Sequence, residues 1–166
     1  MARTYVLGLG NVLMGDDGFG PAVIRAFLDR YEAGPDVEVI DLGTPGLDLT
    51  PWMADSYHVV IVDTVKSKSE PGTLRTYDKA DLMKSAPFAR TGPHDPGVKE
   101  CVFTLEFAGR APAHITVVGA VPDTVGTPQH RVEVDRGLGG AILGEDAVTD
   151  GGEVVGGGHG GHGFSS

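Results

Sequence analysis

A three-layer α/β/α sandwich built on one mostly parallel sheet, in a single domain, is the fold this sequence predicts. Three observations carry the prediction. Strand-like and helix-like patterns alternate along the chain, the mark of parallel βαβ units. The segment His58 to Asp63 (HVVIVD) is apolar throughout its interior and closes on an acid, as a central parallel strand covered on both faces does. A chain of 166 residues at 40% hydrophobic composition suits one domain with a core of ordinary size.

Taken in order, Thr4 to Leu9 (TYVLGL) reads as a short buried strand and Gly10 to Asp17 as the loop behind it. Phe19 to Tyr31 places Val23, Ile24, Phe27, Leu28 and Tyr31 at helical spacing. Val37 to Leu42 (VEVIDL) is a second strand, Gly43 to Gly46 a turn, and Leu47 to Ala54 a short helix. After the strand at His58 to Asp63, Gly72 to Tyr77 (GTLRTY) reads as an edge strand. Residues 84–97, with Pro87, Gly92, Pro93, Pro96 and Gly97, form a long loop. Val98 to Phe107 is helical, with Val98, Cys101, Val102 and Leu105 on one stripe. Ile115 to Ala120 (ITVVGA) is another buried strand, and Val132 to Leu143 a last helix weakened by Gly137, Gly139 and Gly140. From about Gly151 the chain is Gly-rich, with His159 and His162, a composition unable to bury apolar area. The expected division is a domain over residues 1–150 and a disordered Gly/His-rich tail over residues 151–166.

The formal net charge of −10 argues against nucleic acid and against an anionic membrane surface, since both need clustered Lys and Arg. Cys101 is the single cysteine, so neither an internal disulfide nor a cysteine-based zinc site is available. Residues 1–20 lack signal-peptide features, and no apolar run approaches a membrane span. The expectation is a soluble, cytoplasmic protein, with a monomer favoured.

An α/β sandwich opens its ligand crevice at the carboxyl ends of its strands. Asp16 and Asp17 fall in the loop after the first strand, Asp63 ends the third, and His94 sits in the long loop before a helix. If the first and third strands are neighbours, Asp17 and Asp63 open into one crevice within reach of the His94 loop. Two carboxylates and an imidazole suit a divalent transition metal with open positions. Each has an ordinary alternative: Asp16 or Asp17 as a helix N-cap, Asp63 as a solvated turn residue, His94 as an exposed loop histidine. Gly8-Leu9-Gly10, with Asp41 ending the second strand, imitates a dinucleotide fingerprint. Leu13 stands where the third glycine belongs, however, and Asp16 and Asp17 put negative charge where a pyrophosphate would lie. No nucleophile elbow is present, and Cys101 falls on a buried helix face as core filler.

The run Gly8 to Gly20 (GLGNVLMGDDGFG) resembles the N-terminal signature of the hydrogenase maturation endopeptidases, roughly G-x-G-N-x-L-x-x-D-[DE]-G-x-G. Asp41 to Thr44 resembles that family's D-x-G-T turn, Val62-Asp63 its strand-ending acid, Pro93-His94 its histidine loop, and Val117 to Gly119 with Pro122 its last strand and exit. The resemblance runs in order over most of residues 4–143. It implies an endopeptidase, aspartyl-type or metal-linked, that removes the C-terminal extension of a nickel-iron hydrogenase large-subunit precursor after nickel insertion. It implies Asp17, Asp63 and His94 as metal contacts with catalytic roles, and Asp41 as a further functional acid that positions substrate. Nickel would arrive with the precursor, and zinc or cadmium could substitute for it in crystals. A set of two Asp and one His without cysteine should hold nickel modestly, and the precursor's thiolates would complete a better set.

Other functions compete. A general metallopeptidase with its own zinc uses the same residues, and a non-catalytic nickel carrier or checkpoint binder would make use of His159 and His162. The Gly137 to Gly140 run and the histidine tail both depart from the family pattern.

Overall fold

The computed structural model describes residues 3–44, 49–84, 97–123 and the backbone of residues 148–149. Its main sheet has five strands, β1 (Thr4–Leu9), β3 (Val37–Gly43), β4 (His58–Thr64), β5 (Leu74–Asp78) and β6 (His114–Ala120), in the order β3-β1-β4-β6-β5. β1 pairs in parallel with both β3 and β4, and β4 with β6; β5 closes one edge antiparallel to β6. A second ladder joins β2 (Glu32–Ala33) to β7 (Val148–Thr149).

Alternation along β4 explains why its sequence is apolar at every interior position. Val59 and Ile61 enter one core with Leu7, Met53, Leu82, Val102 and Val117, while Val60 and Val62 enter a second core with Val6, Phe19, Val23 and Ile24. The first core is covered by α2 (Thr50–Met53), α3 (Lys79–Lys84) and α4 (Val98–Phe107), and the second by α1 (Phe19–Leu28). Each fully buried aliphatic side chain contributes about 1.5–3 kcal/mol, so both faces of the sheet are held by burial. The three layers and the mostly parallel sheet agree with the sequence-based expectation.

Several boundaries differ, for physical reasons. The first helix ends at Leu28, three residues short of Tyr31. Leu28 is exposed, and Tyr31 leaves the helix to lay its ring on Phe27, centroids 5.3 Å apart. The short helix shrinks to Thr50–Met53. α3 has no counterpart in the sequence reading; Asp78 starts it by accepting the Asp81 N–H through Oδ1 at 2.8 Å. α4 spans the predicted residues, and its buried stripe is Val98, Cys101, Val102 and Leu105. Among the described residues no helix is long and apolar enough to cross a membrane. The expected helix at Val132 to Leu143 and the tail after Gly151 lie outside the described residues.

The strand order matters for function. From β1 the chain moves out to β3 on one side, then returns to β4 on the other side of β1. The carboxyl ends of β1 and β4 therefore flank the switch point, where folds of this kind open their crevice.

Candidate active site

Gly10 opens the loop after β1 with φ 132°, a backbone that L side chains rarely adopt, and a Cβ there would collide with the Asp17 carbonyl. The chain thus folds tightly back on itself before entering the one-turn 3₁₀ helix at Asp16–Gly18. That turn touches β4. Gly20 seals the arrangement: a Cβ on it would stand 2.5 Å from the Val62 carbonyl oxygen and closer still to that of Leu9. The start of α1 is therefore pressed directly on the ends of β1 and β4. Asp17 lies three residues before Gly20, and Asp63 follows Val62.

Asp17 is only 5% exposed. Its Oδ2 accepts the Asn11 N–H at 2.9 Å, so the carboxylate is fastened to the loop it closes. Among the described residues no cation forms an ion pair with it. Neither acid caps α1, whose N-cap is Gly18 with no side-chain hydrogen bond. Asp16 instead reaches across the sheet end, its Oδ2 accepting the Asp123 N–H at 2.8 Å in the loop after β6. The capping reading of both acids is overturned: Asp17 is turned back to Asn11 in its own loop and Asp16 across to the loop after β6.

Asp63 is half-buried, and its Oδ1 accepts the Thr64 N–H at 2.7 Å. Strand alternation puts it in the row of Ile61 and Val65, on the face covered by α4. β1 and β4 are adjacent, as a shared crevice for Asp17 and Asp63 requires. Asp41 lies beside the end of β1, opposite Gly8: it is exposed on β3, in the row of Val39 on the α1 face, and its Oδ1 accepts the Gly43 N–H at 2.9 Å. His94 lies outside the described residues, and among the described residues no three His, Cys, Asp or Glu side chains converge enough to hold a metal ion. The described chain resumes at Gly97 and Val98, the start of α4. The far end of α4 leads to Arg110, whose carbonyl accepts from Asp55 just ahead of β4, so the helix begins at the carboxyl edge, on the face toward which Asp63 points.

Sequence reasoning misses the roles of Asn11, Gly20 and Asp16. Asn11 and Gly20 sit at fixed positions of the signature run, which marks them without showing what they hold. The Asp16–Asp123 bond joins residues 107 apart and leaves no local trace. Cys101 is buried in the core, in line with its reading as filler.

Fold and site together define a doubly wound α/β protein with carboxylates at its switch point. Residues 21–136 match the family described as HycI, hydrogenase maturation protease. The Hydrogenase 2 maturation protease of Escherichia coli (strain K12) is 34% identical over 127 residues, covering 74% of this chain and 75% of that protein. The hydrogenase expression/formation protein HupD of Rhizobium leguminosarum bv. viciae is 31% identical over 120 residues, 72% of this chain; the chain spans 59% of HupD's length. Among solved structures, the hydrogenase maturating endopeptidase HybD from E. coli superposes with a TM-score of 0.68 at 32% identity, over 76% of this chain and 78% of that one. The chain belongs to the hydrogenase maturation protease family, and is a peptidase by class.

Proposed function

We propose that this chain removes the C-terminal extension from a nickel-iron hydrogenase large-subunit precursor once nickel is in place, with Asp17, Asp63 and His94 meeting the nickel that the precursor carries. The observation that carries the reading is Asp17: a carboxylate 5% exposed, held by a backbone N–H, with no cation beside it among the described residues. A buried carboxylate is costly unless a positive group or metal meets it. The names of the relatives supply the substrate class, since they are proteases of hydrogenase maturation.

In this reading the metal is part of the substrate. Two carboxylates and an imidazole are donors that bind nickel modestly, and the precursor's thiolates complete the set. Cleavage is then gated, because a precursor without metal offers nothing for Asp17 and Asp63 to hold. The hydrogen bonds of the two acids suit this role. Asn11 fixes one Asp17 oxygen and Thr64 one Asp63 oxygen, so both carboxylates meet the ligand already oriented. Asp41, outside that pair, orients the substrate backbone beside β3.

Asp17→Asn, Asp63→Asn and His94→Ala test the reading. Each should leave the fold intact and abolish shortening of the loaded precursor, read by intact mass. Normal shortening by all three would sink it.

A further inference from the structure

The loop between Asn11 and Gly15 presents three consecutive apolar side chains to solvent: Val12 is 61% exposed, Leu13 79% and Met14 38%. Single exposed apolar residues are ordinary, but a run of them held together marks a contact surface. This run is held. The Leu13 N–H donates to Asn11 Oδ1 at 2.9 Å and the Met14 N–H to the Asn11 carbonyl at 3.0 Å. The Asp17 N–H donates to the Met14 carbonyl at 3.3 Å, and the Asn11 N–H donates to Asp17 Oδ2 at 2.9 Å. The loop's backbone is thus tied into two stacked turns, and the Asp17 carboxylate is one of the ties.

We infer that Leu13, with Val12 and Met14 beside it, is the specificity-determining contact that seats an apolar segment of the precursor next to the bond to be cut. This rests on the proposed function. The occupant follows from position and chemistry. The apolar knob is bracketed by bonds to Asp17, whose carboxylate accepts the Asn11 N–H just before it and whose N–H donates to the Met14 carbonyl at its end, so it is continuous with the substrate site and not a separate face. Around it stand Asp16 and Asp17, in a chain of net charge −10. A partner that brings a cation to the acids and an apolar stretch to Leu13 complements both features. A precursor with metal bound near its end is such a partner. Holding the knob rigid before binding also reduces the ordering cost of association.

Phe107 provides an internal control. It is 98% exposed, yet it lies at the end of α4 near the amino ends of the strands, away from Asp17. The experiment measures steady-state shortening of the nickel-loaded precursor by the full chain and by Leu13→Ser, Leu13→Met, Phe107→Ser and Asp17→Asn. Leu13→Ser should raise KM about tenfold or more, the effect of removing one buried aliphatic contact, with kcat within about twofold and the melting temperature unchanged. Leu13→Met should restore wild-type KM, and Phe107→Ser should change nothing. An unchanged KM for Leu13→Ser beside an inactive Asp17→Asn overturns the inference and leaves the proposed function standing. Full activity of Asp17→Asn together with a raised KM for Leu13→Ser supports the inference and removes the metal-holding role of Asp17. If Leu13→Ser instead converts a dimer to a monomer by light scattering at unchanged KM, the knob is a self-association surface and the inference fails.

Discussion

The two ends of the parallel sheet treat polar groups in opposite ways. At the amino end, described charges and rings find partners within the chain. Arg110 donates to Asp55 Oδ2 through Nε and Nη2 at 2.9 and 2.6 Å, and this hydrogen bonding holds its guanidinium further above an already high ordinary pKa. Arg3 meets Glu38 at 3.7 Å. His58 Nε2 lies 2.9 Å from Thr116 Oγ1, and the His114 ring packs edge-on against Tyr57 and His58. At the carboxyl end, Asp16, Asp17 and Asp41 are held by backbone N–H groups. Backbone donors orient a carboxylate and leave its charge in place, whereas a guanidinium neutralises it. One end is thus closed on itself, and the other presents oriented carboxylates, as the proposed meeting with a metal-bearing precursor requires.

Substitutions at matched positions sharpen this contrast. The largest effect is expected at the carboxyl end: Asp17→Asn or Asp63→Asn should lower precursor processing by at least about a hundredfold, the range in which removal of a charge-bearing active-site group falls. Asparagine keeps an acceptor for the Asn11 or Thr64 N–H, so thermal unfolding should barely move. Asp55→Asn, at the amino end, should leave processing at the wild-type rate. Equal losses from both would break the comparison.

Next comes Gly20→Ala. Alanine in a helix is intrinsically favoured over glycine by about 1 kcal/mol. Here its Cβ meets two strand-end carbonyls, and backbone cannot yield as a side chain does. Overpacking of this kind costs about 1–3 kcal/mol or more, so the net effect is destabilising. Denaturant unfolding should show a lowered midpoint, and processing should fall as the loop carrying Asp17 shifts. A stabilised variant would contradict the packing described.

Cys101→Ser should destabilise by about 1–3 kcal/mol, because a hydroxyl enters an apolar core. Processing by the folded fraction should be unchanged, which separates this peptidase from cysteine proteases. The smallest effect concerns His58. Burial, followed by the neighbouring His114 charge, lowers its pKa from the ordinary 6.5. The folded state thus favours the neutral ring while the unfolded chain takes up the proton. This contribution to stability is full above about pH 6.5 and is lost as pH falls through that value toward the lowered folded one. His58→Gln should therefore lose less stability than wild type between about pH 7.5 and about pH 5.5, measured by denaturant titration.

Local pattern makes much of this fold legible. β1 and α4 have the boundaries the sequence predicts, because each is set by apolar spacing that nothing downstream contests. α3 escapes such a reading because only Leu82 among its six residues is buried, too little for a stripe; the Asp78 cap ahead of Asp81 is the available signal. The helix end at Leu28 is not legible because the apolar spacing runs on to Tyr31, whose ring still packs on Phe27 beyond the end of the helix. At the site, the acids are legible as residues at loop and strand ends. Their roles are not, since the partners of Asp16 and Asp17 are backbone groups brought near by the fold: a sequence shows an Asp before a helix and suggests a cap, while the structure turns both acids elsewhere.

The most direct test incubates the full chain with the nickel-loaded large-subunit precursor and, separately, with the same precursor lacking nickel, and reads precursor length by intact mass. Shortening of the loaded precursor alone is the predicted result. Equal shortening of both would contradict the nickel gate and point to a self-contained peptidase, and no shortening of either would contradict the proposed activity.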